Sequence, residues 1–317
     1  MNAVPTIGAV VLAYNSHKDL SECLRCLTGQ IGVDLQIVVV DNKSENSSLM
    51  QMVDDFTMIT GSTAIGAAED FLSERESSAY FLKNSRNAGY SGGNNIGAKF
   101  AVEKGCEAVL VINPDVRIDD PHYIAELAAE LRADVSIGIA ASRIVNLNGH
   151  EENPMAELSF WGEILWPLKI LSNKFLRTPN DYQRLSEKHR VEKVSGACFL
   201  ISAHALRIIE FFDDEVFLYC EESILGRQMA MNDLHILFMP NLVALHAHDY
   251  SERGNQFARY KLWARSREYY DRCYTDRGPL PRTLLRLSRK ILLVAIYVRQ
   301  FAIRPKFLMT ISRGQKK

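Results

Sequence analysis

Two acidic motifs and a histidine pair are the residues of this chain best suited to chemistry. Asn113-Pro114-Asp115 follows the apolar run Ala108-Val109-Leu110-Val111-Ile112. The Asp115 carboxylate is therefore expected at the carboxyl end of a buried strand, where open α/β sheets bind ligands. An acid there is a candidate ligand for a divalent ion, and such an ion could hold a diphosphate. Glu221-Glu222 open a helical stretch, 221–231. Adjacent carboxylates raise one another's pKa, which suits a general base, although a helix dipole alone also favours acids in a first turn. His246 and His248 end an apolar strand two residues apart, hence on one face, where both can meet one ion. The ordinary reading of such a pair is structural, with only one member needed for function.

Three turns join these candidates. Ala13-Tyr14-Asn15 follows the first apolar run, at the position where a dinucleotide fold would carry GxGxxG. That motif is absent, which argues against an NAD or FAD enzyme. Asn15 reads equally well as a helix cap. Asp41-Asn42-Lys43-Ser44 ends the second run. Its acid can accept hydrogen bonds from a ribose or a base, and its residue types also favour plain turns. Asn87-Ala88-Gly89-Tyr90-Ser91-Gly92-Gly93-Asn94-Asn95 opens a helix. Small residues there let a ligand approach backbone N–H groups at the positive end of the helix dipole.

The elements that must position these residues alternate. Apolar, β-branched runs at 6–13, 35–40, 79–82, 108–112 and 137–141 read as strands, and 17–27, 92–104 and 123–131 have helical spacing. Strands alternating with helices predict an α/β fold with a mostly parallel central sheet and helices on both faces. The stretch 45–78 reads as helix, loop, helix. A change comes near residue 145: 146–190 carries Trp161, Trp166 and three prolines without a clean period, and predicts a long, partly helical excursion. Beyond it, 194–201, 234–239 and 242–245 are strand-like. From Leu284 to Ala302 a helix is expected with Leu284, Leu287, Ile291, Ala295, Val298 and Ala302 on one side.

Charge is divided unevenly. Residues 277–317 hold eleven Lys and Arg and no acid, which leaves 26 basic against 38 acidic residues in 1–276. An acidic body argues against nucleic acid as the main partner. A basic helix with this much apolar surface can lie in a membrane interface, or pack on the main domain or on a second copy in a homo-oligomer. No run reaches the ~18 apolar residues of a membrane span, no leader segment is read at the start, and six scattered cysteines suit a reducing, cytoplasmic setting.

In this order and with this spacing, Val10 to Asn15, Val38 to Ser44, Asn87-Ala-Gly89 with Gly93-Asn94-Asn95, Asn113-Pro-Asp115, Val194 to Ala197, Phe217 to Glu222 and His246 resemble the family 2 glycosyltransferases of bacterial polysaccharide assembly. The rhamnosyltransferase-like members are nearest, and the resemblance spans about residues 6–250. It implies a GT-A domain over 1–250, with 146–190 as acceptor surface, and a basic helical extension over 251–317. It implies inverting transfer from a nucleotide-diphosphate donor, a dTDP- or UDP-sugar such as dTDP-rhamnose, to a glycan or polyprenyl-linked glycan. The work would be done peripherally on the inner face of the plasma membrane, through 277–317. By residue, Ala13, Tyr14, Asn15, Asp41, Asn87, Gly89, Gly93, Asn94 and Asn113 match positions around the nucleotide sugar. Asp115 matches the metal-binding acid, with His246 near the metal and diphosphate. Glu222 matches the general base and Glu221 the acid before it.

Two departures go with the resemblance. The first acid of the family's DxD element is Asn113 here, so a Mg²⁺ or Mn²⁺ ion has fewer charged ligands and is expected to be held weakly. The family's base is an Asp, and Glu222 is one methylene longer. A sugar-1-phosphate nucleotidyltransferase would need a Gly-rich basic loop after the first strand, which Ala13 to His17 is not. An inactive glycosyltransferase-like scaffold at the membrane surface is the alternative.

Overall fold

The computed structural model describes residues 3–71, 77–171, 186–248 and 255–303, with side chains left out at 167–171 and 299–303. Its chain forms two compact units, Met1–Glu157 with Asn180–Asp249, and Leu158–Pro179 with Tyr250–Lys317.

The first unit is built on one sheet. Strands β1 (Thr6–Ala13), β2 (Asp34–Asp41), β4 (Ala79–Lys83) and β5 (Ala108–Ile112) run parallel, with the short β3 (Ile65–Gly66) beside β4. Alternation along β1 explains the two layers. Ile7, Ala9, Val11 and Ala13 enter one core with α1 (Leu20–Thr28), α2 (Asn46–Thr60) and α4 (Tyr123–Ala133), whereas Val10 enters the other with α3 (Gly89–Glu103) and α6 (Ala203–Ile208). Past β5 the sheet becomes mixed. β9 (Cys198–Ser202) lies antiparallel between β5 and β7 (Ile137–Asn146), and β10 (His235–His246) runs parallel to β7. β6 (Val116–Arg117) and β8 (His189–Val191) each pair antiparallel with β10. The expected mostly parallel α/β sheet is thus present.

Differences from the sequence reading have local causes. The second helix expected in 45–78 gives way to β3 and a 3-10 turn at Ala68–Phe71, because Ile65 and Gly66 pair with β4; residues 72–76 lie outside the described ones. The separate strands expected at 234–239 and 242–245 are one strand, β10, whose register on β7 shifts between Met239 and Val243. That shift falls at Pro240-Asn241, where proline has no N–H to offer the ladder.

The second unit packs α5 (Phe160–Leu171), α8 (Gln256–Cys273) and α9 (Pro279–Ile303). The 146–190 stretch is therefore divided, with Leu158–Pro179 grouped with the C-terminal helices. A buried charge network accounts for this. Glu163 on α5 accepts from Arg267 at 2.5 Å and Arg289 at 2.7 Å, and lies 3.3 Å from Arg277; Asp271 pairs with Arg277 at 2.5 Å and Arg289 at 2.7 Å. On α9, Leu285, Leu292 and Ile296 are buried, while Leu284, Leu287, Ile291 and Val298, from the stripe read in the sequence, are exposed. Glu163→Ala leaves Arg267 and Arg289 short of a buried partner and is expected to cost about 3–5 kcal/mol, measured by urea unfolding of the second unit's transition.

Candidate active site

The parallel register brings three loop starts to one edge. Ala13 pairs with Asp41, and Val11 with Ile112, so the chain leaves β1, β2 and β5 side by side. Tyr14 is half exposed there and Asn15 is left-handed, φ 54°. Asn15 is largely committed within the protein. Its N–H donates to Ser44 Oγ at 2.8 Å, and its Oδ1 accepts from Glu45 N at 2.8 Å. Asp41 is buried and accepts from Ser44 N at 3.1 Å.

The residue that organises this edge, Asn42, was not among the expected site residues. Its Nδ2 donates to Asn87 Oδ1 and Gly89 O, both at 3.0 Å, and its Oδ1 accepts from Ala88 N at 3.0 Å and Asn84 Nδ2 at 3.2 Å. The glycines of the α3 start have a role different from the expected approach of a ligand. A Cβ on Gly89, whose φ is +76°, would lie 2.2 Å from Phe217 O, and one on Gly93 would lie 2.4 Å from Leu12 Cδ1. Both make room for the protein's own atoms. Asn94 is buried with its Oδ1 lacking a hydrogen-bond partner, and Asn95 is bonded to Phe212 through both ends of its amide.

On the far side of β5, Asn113 N donates to Ala197 O at 2.8 Å, and Asp115 follows in the turn before β6. β6 pairs Val116 with His246, and Ala247 N donates to Asp115 O at 2.8 Å, so the end of β10 is zipped to the Asp115 turn. His246 Nε2 lies 3.3 Å from Asp115 Oδ1, His248 Nδ1 lies 3.2 Å from Asp115 Oδ2, and one ligand atom from each of the three falls within 4.8 Å of the others. His246 Nδ1 lies 2.6 Å from Glu152 Oε2. A carboxylate behind a ligating histidine fixes its tautomer and aims the other nitrogen. His248 and Glu152 extend the expected pair of Asp115 and His246. The first was legible in the i, i+2 spacing; the second comes from a loop no motif marks.

The fit of a cation rests on Asp115 Oδ1, which is buried and has the His246 ring at 3.3 Å as its one close polar neighbour among the described residues. Such an oxygen is costly to bury unless something takes its lone pairs. Burial would raise the Asp115 pKa, but the hydrogen bond and charge of His246, with the charge of His248, outweigh it and hold the carboxyl below its usual range. Burial likewise would lower His246, yet the Asp115 and Glu152 carboxylates hold it up at about 9. The His246 ring therefore stands where positive charge is favoured, and a divalent ion would displace its proton.

The second acidic element is held by strained backbone. Tyr219 and Cys220 are both left-handed, φ 70° and 74°, immediately before α7 (Glu221–Met231). Glu221 and Glu222 occupy its first turn and line a narrow cleft with Tyr90, Gly196 and Gln228. Tyr90 OH donates to Gly196 O at 2.5 Å, and Tyr90 N donates to Phe217 O at 2.9 Å. Through Gly196-Ala197 this cleft adjoins the Asn113 turn. Glu221 Oε2 is buried without a partner. Burial, and then the neighbouring Glu222, push the Glu221 carboxyl up to about 8. The environments of these two acids thus differ: Glu221 is held neutral near pH 7.

Residues 9–208 match the family described as Glycosyl transferase family 2. The low-salt glycan biosynthesis hexosyltransferase Agl10 of Haloferax volcanii is 27% identical over 197 residues, 60% of this chain and 59% of that protein, so the match spans well under two thirds of that relative. Among solved structures, a Pyrobaculum calidifontis mannosyltransferase, PcManGT, in complex with GDP-Man and Mn²⁺ superposes with TM-score 0.55 at 14% identity, over 98% of this chain and 81% of that one. Residues 1–349 of S. aureus TarS, in complex with UDP-GlcNAc, superpose with TM-score 0.55 at 15% identity, over 94% and 73%. The fold they share with this chain is GT-A.

The raised Glu221 has a definite sign in stability. Between its usual value of 4.5 and about 8 the unfolded chain releases a proton that the folded chain keeps, so stability falls as pH rises through that window. Glu221→Gln is expected to flatten this decline and raise Tm at pH 8, measured by thermal melts from pH 4.5 to 8.

Proposed function

Because the chain belongs to glycosyl transferase family 2, we propose that it moves a sugar, with inversion, from a nucleotide-diphosphate donor to a glycan acceptor carried on a lipid. The observation that carries this reading is that the Asp41 and Asp115 elements leave the same sheet edge, with Asp115, His246 and His248 clustered as one candidate ion site and Glu221-Glu222 in the cleft beside Gly196.

Donor and metal are assigned by chemistry. Asp41 and the turn at Tyr14-Asn15 face the nucleoside, and dTDP- and UDP-sugars are the donors to try first, dTDP-rhamnose among them. Asp115, His246 and His248 would hold the divalent ion, and their mixed oxygen and nitrogen donors suit Mn²⁺ better than Mg²⁺, which prefers oxygen. When bound, the ion neutralises charge on the departing nucleotide diphosphate. Asn113 adds no charge, so the two imidazoles supply ligands that a second acid would otherwise give.

Glu222 is assigned as the base. It accepts the acceptor hydroxyl proton as that oxygen bonds to the anomeric carbon and the bond to the diphosphate oxygen breaks. Attack from the face opposite the leaving group gives inversion, by the logic of inverting glycosidases. Glu221, held neutral by burial, is a poor acceptor of a proton, which leaves the role of base to its neighbour.

The acceptor surface is assigned to the second unit. Leu287, Ile291, Val294 and Val298 are 53–63% exposed along α9, with Arg286 and Lys290 exposed beside them. No helix among the described residues is long and apolar enough to cross a membrane. A one-sided apolar stripe with flanking cations lies instead in the interface of an anionic leaflet.

Glu222→Gln and Asp115→Ala are each expected to lower transfer at least ~10³-fold with the fold retained by circular dichroism, whereas Glu221→Gln retains transfer. Full activity in purified Glu222→Gln would remove the base assignment. Leu287→Asp with Ile291→Asp is expected to cut sedimentation with phosphatidylglycerol vesicles at least ~10-fold, leaving UDP binding with Mn²⁺ unaltered; equal sedimentation would remove the membrane assignment.

A further inference from the structure

We propose that the cavity between α8 and α9 in the second unit is a binding site for a diphosphate, the group that would join a lipid to the acceptor glycan. Only the identification of that diphosphate with the acceptor rests on the function proposed above; the site itself rests on the cavity's own charges.

The cavity is partly open to solvent and is lined by five arginines, Arg265, Arg272, Arg282, Arg286 and Arg289, against two acids, Glu268 and Asp271. The acids are already engaged. Asp271 is held by Arg277 and Arg289, and Glu268 lies 3.6 Å from Arg286. Arg289 in turn is committed to Glu163, which sits at the centre of the buried network. Arg272 stacks over Tyr269. Arg265 and Arg282 lie within ion-pair distance of no carboxylate among the described residues, and the contact found for Arg282 is Nη2 donating to Thr275 O at 3.2 Å.

Two of these guanidinium groups are not fully bonded within the protein. The Nε–H groups of Arg282 and of Arg289, itself 3% exposed, are both buried with no acceptor. The excess of arginines over acids around the cavity calls for an anion. Guanidinium forks match phosphate oxygens in pairs. A diphosphate offers oxygens on two tetrahedral centres, enough to engage more than one guanidinium fork at once.

The site is also fixed in place. The Glu163 network pins α5, α8 and α9 to one another, and Ser288 Oγ donates to Ile164 O at 2.9 Å. Arg282 and Arg289 stand two turns apart on one side of α9, so they are presented before any ligand arrives. Preorganised arginines lose less entropy on binding.

The full chain is titrated calorimetrically in EDTA with inorganic pyrophosphate and, separately, with farnesyl diphosphate. Both are expected to bind, and Arg265→Gln with Arg282→Gln to weaken both at least ~10-fold, while UDP binding in added Mn²⁺ stays as in the parent. Arg265→Lys with Arg282→Lys, which keeps charge but not the fork, should recover only part of the affinity. Absence of pyrophosphate binding, or equal binding by the Gln double variant, overturns the site. Displacement of pyrophosphate by farnesyl diphosphate but not by phosphatidylglycerol vesicles supports a diphosphate ligand, and displacement by the vesicles alone overturns it. Binding is read without metal or donor, so failure here leaves the transferase reading standing, and an inactive transferase leaves this result standing.

Discussion

The carboxamide of Asn42 is the interaction on which the site's assembly depends. It sits at the end of β2, buried, and spends both amide hydrogens and both oxygen lone pairs on Asn84, Asn87, Ala88 and Gly89. Its own N–H reaches back to Ala13 O at 2.8 Å. One side chain therefore fixes the ends of β1 and β2 against the start of α3. Gly89, whose missing Cβ admits the Phe217 carbonyl, carries that order across to the chain entering α7. A fully satisfied buried amide is rigid because any displacement strands several polar groups at once.

Opposite demands meet on either side of this hub. At Asp115 the surroundings favour ions: two imidazoles face one carboxylate, and Glu152 supports one of them from behind. At Glu221 burial favours the neutral form. The same sheet edge thus holds a carboxylate kept charged and a carboxylic acid kept protonated, set apart by environment alone.

The second unit solves a separate problem. Its helix α8 is polar around most of its circumference, and Arg267 and Asp271 are buried in it. Such a helix is stable only if its charges are neutralised inside, which Glu163 of α5 does for three arginines. With the charged residues serving as core, α9 is free to leave its larger apolar stripe outside. A cavity lined by five arginines and two acids has room for an anion.

Much of this was legible in residue order. Runs of β-branched residues set β1, β2, β4 and β5, because a strand buried on both faces must be apolar throughout. Pro114 after such a run placed Asp115 at a strand end, and the i, i+2 spacing placed His246 and His248 on one face. Motif order implied the family, and the family comparison bears it out. Other features depended on residues distant in sequence. Asn42 looked like turn chemistry until its partners 42 to 47 residues away were in place, and Glu152 lies 94 residues from the histidine it orients. Helix α8 has no apolar period to read, since its buried residues mix Ala264, Ser266 and Tyr270 with Arg267 and Asp271, whose partners lie outside the helix. The sequence by itself determined which residues are strands, which ends carry acids and which family the order resembles, because these follow from local periodicity and spacing. Only the tertiary structure decided which acid stays neutral, which oxygen lacks a partner and which face of α9 meets solvent, because each depends on what the rest of the chain packs against that atom.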